Sequence, residues 1–154
     1  MKQFKGRPVV AGTCKAPALV SHGGFNTLAS FQGALQFGEL PIIGKKYQHV
    51  ECDDQNNPDL YRKPMMGKAL CLPQTIGSTT GGMVLFAAKS MGKCPSCLLF
   101  SEHIDSLAAA GAVLAANWCE EPLVTVDCLG QEFLDYVKDD MMITVSEDGT
   151  VTVD

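Results

Sequence analysis

The second half of this chain alternates strand and helix signals so regularly that it can only build a sheet covered by helices. Residues 68–72 read as a buried strand stopped by Pro73, and Ile76-Gly77-Ser78-Thr79-Thr80-Gly81-Gly82 leads into an apolar helix over 83–91. A second unit follows, with a strand at 97–100 and a helix from 104 to 111 that extends toward Ala116. A strand at 123–126, a helix at 131–137 and strands at 141–145 and 150–153 complete the pattern, the last two joined by the turn Glu147-Asp148-Gly149. The first third differs. Strands are expected at 4–10 and 17–21, separated by Gly12, and then long loops from 23 to 64 with one short strand near 41–43. Loops of that length in a small domain are usually functional or face a partner, the stretch 28–57 above all. The class is therefore α/β with a mixed sheet.

At 154 residues and 46% hydrophobic composition the chain is expected to form one domain, 1–154, with a core that needs no metal or cross-link to fold. Charge is divided: residues 1–77 carry nine Lys/Arg against five Asp/Glu, and residues 78–154 carry three against twelve. With a net charge of −5 and no basic run beyond Lys45-Lys46, nucleic acid is not the expected partner. An anionic ligand would sit on the first half. The seven cysteines are odd in number and several lie inside apolar runs, which favours free thiols in a reducing cytoplasm. No apolar stretch approaches a membrane span, and the N-terminus lacks a signal-like apolar segment.

The turn 77–82 is the strongest candidate for chemistry. A helix start offers unpaired N–H groups and the positive end of a dipole, which suit a carboxylate, a phosphate or a developing oxyanion, and the glycines permit close approach. No Lys follows them, so this is not a nucleotide-binding P-loop. The simplest alternative is that Ser78 or Thr79 only caps the helix. Cys94-Pro95-Ser96-Cys97 has redox or zinc spacing but precedes an apolar strand, with no second Cys pair or His pair to complete a metal site. Of the three histidines, His22 beside Gly23-Gly24 has the setting of a ligand or acid/base group. His49 lies in a polar loop, and His103 caps an apparent helix start. Asp105, Asp127 and Glu120-Glu121 are expected on the surface, and Asp139-Asp140 in a solvated turn.

Phe4-Lys5-Gly6-Arg7-Pro8-Val9-Val10-Ala11-Gly12, Ser21-His22-Gly23-Gly24-Phe25-Asn26, Gly67-Lys68-Ala69-Leu70-Cys71-Leu72-Pro73 and Gly77-Ser78-Thr79, in that order, resemble the small subunit of aconitase X. Ala109-Ala110-Gly111-Ala112-Val113-Leu114-Ala115 followed by Pro122-Leu123-Val124 continues the match. The resemblance implies a swivelling β/β/α domain like that of aconitase. It also implies one half of a hydro-lyase, a heterodimer whose larger subunit carries an iron or iron-sulfur centre while this chain binds no cofactor alone. The expected reaction removes water from a small hydroxy acid, cis-3-hydroxy-L-proline in the first place; archaeal members act on mevalonate 5-phosphate. Carried onto this sequence, Ser78 is the serine base, flanked by Gly77 and Thr79. Thr80, Gly23, Gly24, Asn26 and His22 complete the substrate-binding set. Aconitase has Arg where Thr80 stands, so a carboxylate-binding Arg would come from the partner or from Arg7 or Arg62. The alternative function is a non-catalytic anion-binding or regulatory module on the same fold.

Overall fold

The computed structural model describes residues 1–37 and 50–154. Ten strands and four helices occur among them: β1 (Lys2–Lys5), β2 (Arg7–Val10), β3 (Cys14–Val20), β4 (Phe25–Asn26), α1 (Thr27–Phe37), β5 (Ala69–Leu72), β6 (Thr75–Ile76), α2 (Gly81–Ser90), β7 (Cys97–Phe100), α3 (Ser106–Trp118), β8 (Val124–Asp127), α4 (Gln131–Tyr136), β9 (Met142–Val145) and β10 (Thr150–Val153). Eight strands form one sheet in the order β1-β10-β9-β3-β5-β7-β8-β2, and β4 pairs with β6 as a small separate ribbon. The centre, β3-β5-β7-β8, is parallel, and the flanking pairings are antiparallel. Strands β5, β7 and β8 are buried at every position, as strands covered on both faces must be.

The expected single strand over 4–10 is two strands at opposite ends of the sheet order, joined by Gly6 alone. One residue spans only about 7 Å between its neighbours. The sheet therefore curls until its two ends meet. Gly6 fits that seam because a Cβ there would lie 2.5 Å from Val126 Cγ1 and 2.6 Å from the Asp127 carbonyl. The curl leaves two edge strands of only four residues each. It also divides the core. One cluster fills the curl, with Phe4, Val20, Cys71, Leu99, Phe133 and Val151 among its members, and Phe4 meets Phe133 edge to face at 5.3 Å. The other lies between the sheet and α1–α3 and includes Phe25, Phe31, Leu70, Leu85, Phe100 and Ala108.

The region read as loops from 23 to 64 contains β4 and the eleven-residue α1. Local signals failed there because α1 has no acidic residue in its first turn and no basic one in its last, and its sequence TLASFQGALQF is poor in strong periodic contrast. What holds it is packing: Thr27, Ser30, Phe31, Gly33 and Ala34 are buried. The expected strand near 41–43 and His49 lie outside the described residues.

Helices α2 and α3 cross at glycines. A Cβ on Gly82 would fall 2.6 Å from the Leu107 carbonyl, and one on Gly111 would fall 2.6 Å from the Gly82 carbonyl. Two backbones in contact fix the position of the first turn of α2, which carries the turn 77–80 at its end.

Candidate active site at the start of α2

The ribbon β4–β6 brings together motifs that stand fifty residues apart in the chain. Phe25 aligns with Thr75 and Asn26 with Ile76, so Gly23-Gly24-Phe25-Asn26 runs beside Pro73-Gln74-Thr75-Ile76, which leads directly into Gly77-Ser78. Gly77 has φ +95°, and a Cβ on it would lie 2.7 Å from Asn26 Oδ1, so both backbone and space demand glycine. Asn26 Oδ1 also accepts the Ala29 N–H at 3.1 Å, which caps α1. Gly24 lies against Ile76, where a Cβ would meet Cγ2 at 2.6 Å, whereas Gly23 faces open space. Thr27, the first residue of α1, lies 3.7 Å from a Cβ built on Gly81, the first residue of α2, so two helix starts converge here.

Helix α2 begins at Gly81, two residues earlier than expected, with Thr80 in the capping position and no side-chain cap bond. Neither Ser78 nor Thr79 caps it. Ser78 instead holds the turn: its carbonyl accepts the Gly81 N–H at 3.0 Å, and its Oγ accepts the Thr80 N–H at 3.2 Å. Ser78 Oγ also lies 2.8 Å from Thr80 Oγ1. Ser78 is half-buried, while Gly77, Thr79 and Thr80 are exposed. A serine oxygen that receives a backbone N–H at the positive end of a ten-residue helix is in an environment that favours negative charge on it.

Asp105, expected on the surface, is the strut beneath this turn. It caps α3 by accepting the Ala108 N–H, and it also accepts the Thr75 N–H at 2.8 Å and the Thr75 hydroxyl at 2.6 Å. His103 is therefore not the cap of that helix. Asp127, also expected outside, is fully buried and paired with Arg7 at 2.6 Å. Its carboxyl is held below the ordinary value: burial opposes ionisation, but the Arg7 hydrogen bond, the Ile104 N–H and the Arg7 charge outweigh it. The sequence signal for the first was available in Asp105 standing three residues before Ala108 at a helix start. Asp139 and Asp140 are exposed as expected, yet both are engaged. Asp139 accepts the Val20 N–H and pairs with Lys63, and Asp140 pairs with Lys68.

His22 is not brought to Ser78. Its N–H and Nδ1 both face Asp59 Oδ2, at 2.8 and 3.2 Å, in a separate cleft shared with Lys63, Lys138 and Asp139. The orienting partner that sequence alone could not supply is thus Asp59, 37 residues away. Arg62 is exposed, with φ +66° and its guanidinium over the Tyr61 ring at 5.3 Å.

The Cys94/Cys97 pair is split by the sheet. Cys94 belongs to the cluster under the helices and Cys97 to the cluster inside the curl. Burial pushes the Cys94 thiol up to about 12, and a hydrogen bond that the Cys97 thiol donates to Cys14, followed by burial, holds Cys97 up as well. Neither is poised for thiolate chemistry. All seven cysteines are free, and among the described residues no three His, Cys, Asp or Glu side chains gather as metal ligands. Among the described residues the donor set does not fit an iron centre. No helix among the described residues is long and apolar enough to cross a membrane.

The site is thus a glycine-lined serine turn at a helix start, carried by a curled α/β sheet. The profile of the aconitase X swivel domain matches residues 3–153, and the chain belongs to that family. Similar curated proteins are phosphomevalonate dehydratase small subunits. That of Aeropyrum pernix is 28% identical over 151 residues, covering 98% of this chain and 92% of the relative. That of Methanocella arvoryzae is also 28% identical over 151 residues, covering 98% and 96%. Among solved structures, the holo-form of Thermococcus kodakaraensis aconitase X superposes with a TM-score of 0.75 at 23% identity, covering 99% of this chain and 98% of that one, which speaks for the fold.

Proposed function

We propose that this chain is the small subunit of an aconitase X-type dehydratase, with Ser78 as the base that takes a proton from a small hydroxy acid. The observation that carries the reading is the state of the Ser78 oxygen: it does not cap α2, and it receives the Thr80 N–H beside the Thr80 hydroxyl. A serine that must bear negative charge during proton abstraction needs a donor fixed in place before the reaction, and the Thr80 N–H is fixed by the backbone. Gly77 admits Asn26 to the floor of the turn, and Asp105 holds Thr75 three residues upstream. The proton leaves the carbon next to the one that loses its hydroxyl. An iron or iron-sulfur centre would belong to a larger partner and would supply Lewis acidity for the departing hydroxyl. Free thiols suit a cytoplasmic setting.

The relatives' names point to phosphomevalonate as one substrate to try, and the sequence resemblance points to cis-3-hydroxy-L-proline as the other. The test is to co-express the chain with its larger partner and to measure dehydration of both acids for the wild type and for Ser78→Ala. An enzyme loses turnover by a factor of about 10³ or more while the two subunits still co-purify. A non-catalytic anion-binding module on this fold would instead show no turnover in the wild type, and Ser78→Ala would weaken its ligand by about one hydrogen bond, 0.5–1.5 kcal/mol.

A further inference from the structure

A second built arrangement stands at the carboxyl end of β8, and the reaction described above makes no use of it. Arg7 opens β2 and donates to buried Asp127 through both edges of one fork, Nε–H to Oδ1 at 2.9 Å and Nη2–H to Oδ2 at 2.6 Å. Asp127 Oδ2 also accepts the Ile104 N–H at 2.8 Å. His103 closes the ring. Its Nδ1–H donates to the Ile104 carbonyl at 2.8 Å, which leaves Nε2 as the acceptor for Arg7 Nη2–H at 3.2 Å. The guanidinium is thus held on two sides, yet its side chain is 54% exposed and Nη1 has no partner among the described residues. It borders a cleft of about 430 Å³ whose other walls include Pro8, Val9, His103, Ile104 and Ala109.

An orientated Arg with one free N–H pair above mostly apolar walls is a receptor for an oxyanion attached to a short apolar chain. The walls select among oxyanions. Asp127 already neutralises Arg7, so a bound anion is held at short range through hydrogen bonds to Nη1, and the apolar walls favour a carboxylate carried on an alkyl chain over an inorganic phosphate, which has no apolar part to bury. The cleft is also mechanically tied to the serine turn, because Asp105, two residues beyond His103, is the group that holds Thr75. Arg62, stacked on Tyr61 and exposed, has no comparable fixing.

We propose that Arg7, positioned by Asp127 and His103, binds the carboxylate of a small acid whose neighbouring carbons lie on Val9, Ile104 and Ala109. That this acid is the dehydratase substrate rests on the proposed function; the binding site itself does not. The test uses the full chain labelled with ¹⁵N and titrated with butyrate, with butyramide and inorganic phosphate as controls, following the Arg7 Nε–H signal and the amides of Val9, Ile104 and Ala109. Butyrate alone should give saturable shifts, Arg7→Lys should weaken them about tenfold or more, and Arg7→Met combined with Asp127→Asn should abolish them. The double variant removes the cation without stranding a buried charge. Equal shifts with butyramide or phosphate, or unchanged butyrate binding in the double variant, overturn the site. In the complex with the larger subunit, Arg7→Lys should raise KM about tenfold while kcat falls less, and an unchanged KM overturns the substrate role. A complex inactive on every hydroxy acid while butyrate still binds this chain sinks the dehydratase reading and leaves the site standing.

Discussion

Replacing Gly111 by Ala sets two effects of known sign against each other. In an ordinary helix interior the change is favourable by up to about 1 kcal/mol, because Gly gives up more backbone entropy on folding. Here the new methyl would sit 2.6 Å from the Gly82 carbonyl oxygen, 3.0 Å from Gly82 Cα and 3.0 Å from Leu85 Cβ. The first of these is backbone, which cannot rotate away, so α2 and α3 must part by about 0.4 Å merely to reach the 3.0 Å that real Cβ atoms respect. Forcing a methyl into a packed interface costs about 1–3 kcal/mol, and parting the helices also loosens the contacts of Leu85 and Ala108. The cost exceeds the propensity gain, and we expect a net loss of about 1–2 kcal/mol, or a Tm lower by roughly 3–6 °C for a domain of this size. Urea denaturation monitored by far-ultraviolet circular dichroism measures it. Ala116→Gly, at an exposed position of the same helix, calibrates the propensity alone and should cost about 1 kcal/mol. Because the moving helix carries Ser78 at its start, turnover of the assembled complex should fall further than stability does, toward 10²-fold for a shift near 1 Å. If Gly111→Ala were as stabilising as Ala116→Gly is destabilising, the helices would not be in backbone contact and the account of how α2 is placed would be wrong.

Other outcomes follow from the same contacts. Asp105→Ala removes the α3 cap and both Thr75 bonds, and should cost about 2 kcal/mol or more in urea stability while lowering turnover of the complex; Asp105→Asn, which keeps an acceptor, should cost less. Asp127, Asp140 and Asp148 all have carboxyls held below their ordinary value, Asp148 down to about 2 through its Lys5 hydrogen bond and the Thr150 N–H and hydroxyl. A carboxyl depressed in the folded state contributes stability fully present above its unfolded pKa of about 4 and lost as pH falls through the folded value. The urea midpoint should therefore drop between pH 4 and pH 2, with no slope from these groups above pH 5, and Asp148→Asn should remove part of that drop. A profile flat from pH 5 to pH 2 would mean that these ion pairs do not favour the folded state.

Much of this protein is legible in its sequence. The alternation from residue 67 onward specified buried strands and covering helices, because apolar runs such as Cys97-Leu98-Leu99-Phe100, bounded by turn residues, have few other ways to leave water. The same residues placed Ser78 at the start of a helix. Tertiary structure decided what local signals do not encode. That 4–10 is broken at Gly6 depends on Val126 and Asp127, about 120 residues away, and α1 exists because Phe31 and Ala34 find a core to enter, since its sequence carries weak amphipathic contrast. The roles of Asp127 and Asp59, and the hold of Asp105 on Thr75 beyond its readable capping of α3, were invisible for the same reason: a carboxylate looks like surface until its partners, Arg7, His22 and Thr75, arrive from elsewhere in the chain. Sequence determines which segments must be buried and where the chain can turn, because both are local properties of side chains and backbone. Which groups meet is decided by how the buried segments pack against one another.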